Sequence, residues 1–195
     1  KKDYNLSESK IITPEKGRFL FVGKTSAPDF EGENKAVLYG VDAPTGETIL
    51  KTEFWEGEER YYPRKIYPFG INYIIDADAV DYRHITAINS ETGLVRWELE
   101  LDKDPFLRGK PVDIVWSDSL VIIPLDEELQ AYDFYSGQIQ WSYDYTDDID
   151  GIEYLNQNGI NSGSISFLSD DNEFIKLDLK DRQISFQQNV NFDEM

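Results

Sequence analysis

The sequence has no cysteine in its 195 residues. Disulfide bonds, cysteine nucleophiles, thiolate zinc sites and iron–sulfur clusters are therefore excluded. Histidine occurs once, at His84, and there is no Gly-x-Ser-x-Gly elbow, so nothing indicates a serine–histidine nucleophile. We expect His84 to be a surface or half-buried strand residue without a catalytic role.

Basic residues are scarce, and long hydrophobic runs are absent. The chain has 38 acidic and 19 basic residues, which gives a net charge of −19. Such a surface repels nucleic-acid phosphates and anionic membranes, but it suits a basic protein partner, cations or simple solubility. No run approaches the ~20 apolar residues of a membrane-spanning helix. We therefore expect no nucleic-acid partner and no membrane-spanning segment.

Four segments of the chain repeat one pattern. In each copy an Asp or Asn precedes a Gly by four residues, and a large apolar residue follows four residues later, with Arg182 replacing the Gly in the last copy. Successive copies are offset by 47, 44 and 45 residues, which predicts tandem β-units. The four copies are Asp42, Gly46, Leu50; Asn89, Gly93, Trp97; Asp133, Gly137, Trp141; and Asp178, Arg182, Phe186.

Each copy predicts a β-hairpin that follows two further strands, so that one unit has four strands, A to D. The Asp or Asn caps a tight turn and the Gly supplies a positive φ. The small residues Gly40, Ala87 and Ala131 permit close sheet packing, and the large apolar residue fills the space between sheets. Lys176 breaks this pattern in the last copy. We predict a single all-β domain over residues 1–195, with units at approximately 10–54, 66–100, 112–145 and 152–190.

Ala87–Trp97 (AINSETGLVRW) and Ala131–Trp141 (AYDFYSGQIQW) carry the pattern most fully. It resembles the quinoprotein-type (PQQ-dehydrogenase-like) β-propeller repeat, which Gly40–Leu50 fits less well and Lys176–Phe186 poorly. The resemblance implies a β-propeller-like array of about four four-stranded antiparallel blades. Since relatives of this kind carry seven or eight blades, three arrangements stay open: a compact four-bladed propeller, an open arc completed by a partner or second copy, and part of a larger propeller.

The resemblance does not imply catalysis. Enzymes of this family hold a quinone in the funnel of a complete propeller, many with an adjacent-cysteine disulfide and a calcium site. This chain lacks cysteine and has about half the blades, so we expect a non-catalytic member with no cofactor and no metal. The acidic runs 76–81 and 147–150 have some character of calcium loops, but solvated turns are the better interpretation.

Acidic residues concentrate in particular loops of the predicted blades. The B–C turns and the crossings from strand D to the next strand A share one face, and they hold 21 of the 38 acids. The C–D turns of the opposite face hold few. Aromatic residues amid charge are typical of a protein-binding surface, although they can instead pack beneath the crossings. The residues predicted to bind protein are Glu56, Glu58, Glu59, Tyr61, Tyr62, Asp76, Asp78, Asp81, Asp147, Asp148 and Asp150.

The leading hypothesis is a non-enzymatic protein-binding module that presents this acidic loop face to a basic protein partner. It would act as an inhibitor or immunity-type protein, or as an envelope scaffold. The alternatives are a calcium- or carbohydrate-binding propeller and a sensory domain of a larger receptor. Homo-oligomerisation is a further option, and an extracytoplasmic location, in the periplasm or cell envelope, is favoured.

Overall fold

A computed structural model describes most of the chain. The described residues are 9–15, 17–25, 34–57, 61–78, 82–102, 113–117, 119–125, 128–144, 154–156, 164–168, 173–179 and 183–189. The chain packs into two compact units, Lys1–Asp102 and Lys103–Met195. The single-domain assignment stays a prediction.

The first unit contains two antiparallel sheets, in each of which neighbouring strands follow one another in sequence. The strands of the first sheet are β1 (Ser9–Glu15), β2 (Arg18–Thr25), β3 (Asn34–Asp42) and β4 (Thr48–Gly57). Those of the second sheet are β5 (Tyr62–Phe69), β6 (Asn72–Asp78), β7 (Tyr82–Asn89) and β8 (Val95–Asp102).

The second unit repeats this arrangement with shorter strands. The third sheet consists of β9 (Val115–Ser117), β10 (Leu120–Pro124), β11 (Glu128–Asp133) and β12 (Ile139–Asp144). The fourth consists of β13 (Tyr154–Asn156), β14 (Ser164–Leu168), β15 (Glu173–Asp178) and β16 (Gln183–Asn189). Each of the four predicted repeats forms one four-stranded antiparallel sheet, so the prediction of four-stranded antiparallel units is confirmed.

The turn between the third and fourth strands is built as predicted in three sheets. The Asp42 carboxylate accepts hydrogen bonds from the Thr45 backbone N–H and hydroxyl, at 3.0 and 2.6 Å. These bonds hold the pKa of Asp42 below its usual value. Asn89 and Asp133 cap their turns in the same way, and the Gly that ends each turn has φ near +70°. The side chain that closes the turn explains why Asp or Asn recurs there.

A small residue faces a large one in each of these hairpins. Gly40 pairs with Leu50, Ala87 with Trp97, and Ala131 with Trp141. Lys176 and Phe186 take the same register in the fourth sheet. A β-carbon on Gly40 would lie only 2.9 Å from the Leu50 β-carbon, so the small residue makes room for its partner.

Each of the four sheets has a β-bulge directly after this pair. The register shifts between Gly40 and Val41, Ala87 and Ile88, Ala131 and Tyr132, and Lys176 and Leu177. A bulge increases the local twist of a strand pair. The repeat of the sequence is therefore also a repeat of backbone geometry, including the fourth copy, whose sequence is the least regular.

In each unit the core lies between its two sheets. In the first unit, Leu20 and Leu38 of the first sheet pack in one cluster with Tyr73, Ile75 and Ile88 of the second. Each is almost fully buried, and burial of such a side chain contributes about 2 kcal/mol.

In the second unit, Ile122 and Leu129 of the third sheet pack with Phe167 and Ile175 of the fourth. Trp141 lies against this cluster. Trp141, like Leu50 in the first unit, therefore lies where the motif predicts, against the core between two sheets.

Gly93 lies at the contact between the first two sheets. Its carbonyl accepts a 2.8 Å hydrogen bond from the buried Thr52 hydroxyl, and a β-carbon on Gly93 would lie 2.8 Å from the Leu50 side chain. Gly46 has the same φ of 71°, but nothing lies within 4 Å of where its β-carbon would be. The two glycines thus share a left-handed backbone conformation and differ in packing.

We predict that Gly93→Ala destabilises the protein more than Gly46→Ala does. Both variants place an L-residue at positive φ, which costs about 1 kcal/mol. Only Gly93→Ala also crowds the side chains of Leu50 and Thr52 in the neighbouring sheet, with a further cost of about 1 kcal/mol. Urea unfolding measures the free energy of unfolding of both variants. Equal destabilisation would contradict the close packing of Gly93 against Leu50 and Thr52.

Candidate functional site

In the first three sheets, a backbone hydrogen bond joins the two turns at one end of the sheet. The first-to-second-strand turn is bonded to the third-to-fourth-strand turn: Ala43 N–H donates to Gly17 O, Ser90 N–H to Ile71 O, and Phe134 N–H to Ser119 O, at 2.7–2.8 Å. We call this the turn end. The opposite end, where the second and third strands are connected and the fourth strand finishes, is the loop end. The predicted protein-binding residues of the first two sheets belong to the loop end.

Asp76 and Arg83 form a buried ion pair at the loop end of the second sheet. Arg83 Nε and Nη2 donate to the two Asp76 carboxylate oxygens, both at 2.9 Å. Arg64 Nη1 adds a third bond to Asp76 Oδ2 at 3.0 Å. Bidentate bonding of this kind fixes the orientation of both side chains. Asp76 is completely buried and Arg83 almost so.

The network extends outward to Asp78. Arg64 Nε lies 3.5 Å from Asp78 Oδ2, and the side chains of Arg64 and Asp78 are 18% and 26% exposed. Burial lowers the pKa of Arg83, but the Asp76 carboxylate more than offsets this and raises the pKa overall. Two carboxylates and two guanidinium groups balance in charge. The structure therefore places Asp76 inside a neutral network rather than on an open acidic surface, because an unpaired buried carboxylate would be costly.

Tyr62 lies beside this network at the surface. It pairs in register with Asp78 on the neighbouring strand, and its side chain is 43% exposed. Arg64 lies at the register shift that follows in the same strand. The rim of the second sheet at its loop end thus combines the exposed Tyr62 with the partly buried Arg64 and Asp78, over the buried Asp76–Arg83 pair.

Glu56, at the end of β4, is half-exposed and paired with a lysine. Lys35 Nζ lies 3.3 Å from Glu56 and 3.5 Å from Glu53. The hydrogen bond and charge of Glu56, with that of Glu53, raise the pKa of Lys35. Exposed pairs of this type contribute little to stability, so Glu56 can exchange Lys35 for another cation at small cost.

Tyr61 is buried, unlike its neighbour Tyr62. Its ring packs against Trp55 with the ring centroids 4.9 Å apart, and edge-on against Phe54 and His84. Burial raises the pKa of Tyr61 well above its usual value. The sequence left open whether these aromatic residues are exposed or packed beneath the loops. Trp55 and Tyr61 are packed in the interior, and Tyr62 is exposed.

His84 is buried rather than exposed or half-buried, with 2% of its surface accessible. Its ring lies between Tyr61 and Tyr82, and its Nδ1 is 3.2 Å from the Thr86 hydroxyl. Burial lowers the pKa of His84 to about 4, so the ring is neutral near pH 7. The prediction of a more open position was wrong because Tyr61, from outside the strand, covers the ring.

Other predicted residues lie outside the described part of the chain. These are Glu58, Glu59, Asp81, Asp147, Asp148 and Asp150. Their assignment to a protein-binding face stays a prediction. Among the described residues no group of three or more His, Asp or Glu side chains is arranged to hold a metal ion.

Sequence reasoning missed the roles of Arg64 and Arg83. A signal was present, because Asp76 lies within the apolar run of β6 (NYIIDAD) and its side chain points to the same face as that of Asp78. Arg83 pairs in register with Asp78, which brings it to that face. A carboxylate inside an apolar strand requires a cation, and the nearest arginines in the adjacent strands are these two.

Comparisons with known proteins identify the fold. The chain is similar to BamB from Moraxella catarrhalis, with 14% identity and a TM-score of 0.57 over 96% of this chain and 68% of that one. It is also similar to Sqt1 from Saccharomyces cerevisiae, with 12% identity and a TM-score of 0.59 over 95% of this chain and 50% of that one. Both are β-propellers, and the chain is an all-β, β-propeller-like array of four-stranded antiparallel sheets.

The likeness stops at the fold. The sequence matches no protein-family model and no curated protein. The fold is shared widely, since 701 solved chains match in structure. No helix in the described residues is long and apolar enough to cross a membrane.

We predict that Asp76→Ala destabilises the protein by about 3–5 kcal/mol, because it leaves Arg83 buried without its counter-ion. The double variant Asp76→Leu with Arg83→Met removes both charges and should recover most of the loss. Asp78→Ala, at the exposed rim, serves as the control and should cost about 1 kcal/mol or less. Chemical denaturation measures all three, and a double variant as unstable as Asp76→Ala would contradict the network.

We also predict that His84 makes stability depend on pH. Above about pH 6.5 the ring is neutral in both folded and unfolded chains. As the pH falls from about 6.5 to about 4, the unfolded chain gains a proton that the folded chain does not, so stability decreases by up to about 3 kcal/mol. Thermal unfolding of wild type and of His84→Phe at a series of pH values measures the contribution of His84 to this pH dependence. If the stabilities of the two proteins fall in parallel between about pH 6.5 and pH 4, the prediction is wrong.

Proposed function

We propose that the protein is a non-enzymatic protein-binding module that presents the loop ends of its sheets to a basic protein partner. The observation that carries the proposal is the rim of the second sheet. There an exposed tyrosine and a partly exposed arginine, Tyr62 and Arg64, lie over the rigid Asp76–Arg83 pair. Tyr and Arg on a fixed base have the composition and rigidity of a protein-binding hot spot.

Charge supports the choice of a basic partner. The net charge is −19, and the predicted loop-end acids Glu58, Glu59, Asp147, Asp148 and Asp150 add to that field. An acidic field raises the association rate with a basic surface and weakens as salt is added. The Tyr62 rim itself is close to neutral because its carboxylates are paired. We therefore assign attraction to the loop acids and close contact to the rim.

The chemistry of the described residues supports a non-enzymatic role. His84, the only histidine, has its ring buried between two tyrosines. It is therefore shielded from a substrate in solution. The forms we favour are an inhibitor or immunity-type protein and an envelope scaffold, with an extracytoplasmic location. A non-catalytic relation to the quinoprotein-type repeats fits this proposal.

Two variants with the same change in net charge test the acidic face. Glu58→Lys, Glu59→Lys and Asp148→Lys together reverse three loop-end acids, whereas Glu47→Lys, Glu91→Lys and Asp181→Lys reverse three acids assigned to the opposite end. We expect only the first triple variant to lose partners captured from a native lysate and identified by mass spectrometry. Its binding of a poly-lysine probe should also become weaker. Equal capture by both triple variants would reject the acidic face.

Tyr62→Ala tests the rim separately. Truncation of an interface tyrosine should weaken binding of the captured partner about tenfold or more, mainly through faster dissociation. Binding of poly-lysine should be unchanged, because that probe responds to charge alone. Thermal unfolding verifies that the variant is folded, and unchanged partner dissociation would remove Tyr62 from the interface.

A further inference from the structure

One face of each sheet can be compared from copy to copy of the motif. On this face, which we call the motif face, the small residue of the third strand pairs with a residue of the second strand, and the residue two positions earlier in the third strand points the same way. These second-strand, small and earlier residues are Leu20, Gly40 and Leu38; Ile74, Ala87 and Ile85; Ile122, Ala131 and Leu129; and Ser166, Lys176 and Phe174.

In the first three sheets the motif face is apolar and buried. Leu38, Ile85 and Leu129 are each 0% exposed, and the second-strand residues are at most 2% exposed. In the first and third sheets this face packs against the other sheet of the same unit, since Leu38 and Leu129 belong to the two core clusters. An apolar motif face is therefore a surface for packing another sheet.

The fourth sheet differs at all three positions. Lys176 replaces the small residue and is partly exposed, and Phe174 is 37% exposed where its three equivalents are fully buried. Ser166 is only 8% exposed, because a short side chain in an interior strand lies below its neighbours Asn156 and Lys176, but it is polar. The opposite face of this sheet carries Phe167 and belongs to the core of the second unit. The fourth sheet is thus apolar on one face and polar on the other.

We propose that the motif face of the fourth sheet is a water-facing cap, which prevents a further sheet from packing there. Arrays of repeated units require a polar outer face on the unit that ends them. A sheet packed on this face would remove the Lys176 ammonium group and the Ser166 hydroxyl from water, which is costly. The chemistry of the face carries this assignment, and the position of the sheet in the chain plays no part in it.

The cap bears on association between copies of the chain. The first sheet has aromatic residues on the face opposite its core, where Phe19 is 44% exposed and the rings of Phe21 and Tyr39 stack at 5.1 Å. With an apolar motif face on the fourth sheet, each copy would have two different surfaces that fit each other. Such head-to-tail contacts produce open-ended assemblies unless they close into a ring. Ser166 and Lys176 remove one of the two surfaces, independently of the basic partner proposed for the loop ends.

A double variant that restores the apolar face provides the first test. Ser166→Ile with Lys176→Ala gives the fourth sheet the Ile and Ala of the third. In sedimentation velocity, wild type should show no dependence on concentration, and the double variant should associate at concentrations at least about tenfold lower than any at which wild type does. Ser142→Ile with Lys51→Ala makes the same two changes at exposed positions elsewhere and should sediment as wild type does. Ser166→Ile alone keeps the lysine and should also remain unassociated.

Acetylation of the native wild-type chain provides a second test that needs no variant. Lysine keeps its charged group in water, so Lys176 should react within about tenfold of the rate of the exposed Lys51, as measured by mass spectrometry. A Lys176 that reacts only after unfolding would show that the face is covered and would overturn the proposal. So would a double variant that unfolds in one thermal transition yet sediments as wild type does, or a matched control that associates equally. If the double variant does not fold, the acetylation rate decides.

Discussion

The packing of one four-stranded sheet against the face of the next is the interaction on which the rest of the structure depends. A single four-stranded sheet has two faces to cover, and in each unit the described core residues of one sheet pack against those of the other. Leu38 and Ile75 in the first unit, and Ile122 and Phe167 in the second, lie in such sheet-to-sheet cores. The pairing of a small with a large residue, as at Gly40 and Leu50, lets the sheets approach while a side chain still fills the space.

Much of the fold was predictable from the sequence because the information is local. Asp42, Asn89 and Asp133 each close a turn with a residue only three positions away, and the strands on both sides follow from the turn. The candidate site was less predictable because it depends on non-local contacts. The apolar run around Asp76 indicates that the carboxylate needs a cation, but only the pairing of the strands brings Arg64, twelve residues earlier, to within 3.0 Å. Tyr61 and Tyr62 are adjacent and alike in chemistry, yet only the folded sheet determines that the first is buried and the second exposed.

Counting acidic residues overstates how acidic the described surface is. Asp76 and Asp78 are balanced by two arginines, and Glu56 lies beside Lys35. The hydrogen bonds of the two guanidinium groups fix the orientation of the carboxylates, and this orders the end of the strand that carries them. A net charge of −19 then acts mainly at long range, while the proposed contact surface near Tyr62 is nearly neutral. In the proposed function, the loop acids therefore attract a basic partner, and the rim around Tyr62 makes the close contact with it.

Each sheet is also made from one continuous stretch of chain, with its strands in sequence order and its own capped turn or bulge. Most contacts are therefore close in sequence, a topology that favours rapid folding of each sheet before it docks on its neighbour. Stability in an array of repeated sheets is nearly a sum of the stabilities of single sheets and of the packing between neighbouring sheets. Gene duplication or deletion that adds or removes one segment of about 45 residues leaves the internal bonding of every remaining sheet intact. The number of sheets is consequently the property that evolution can change most easily in this chain.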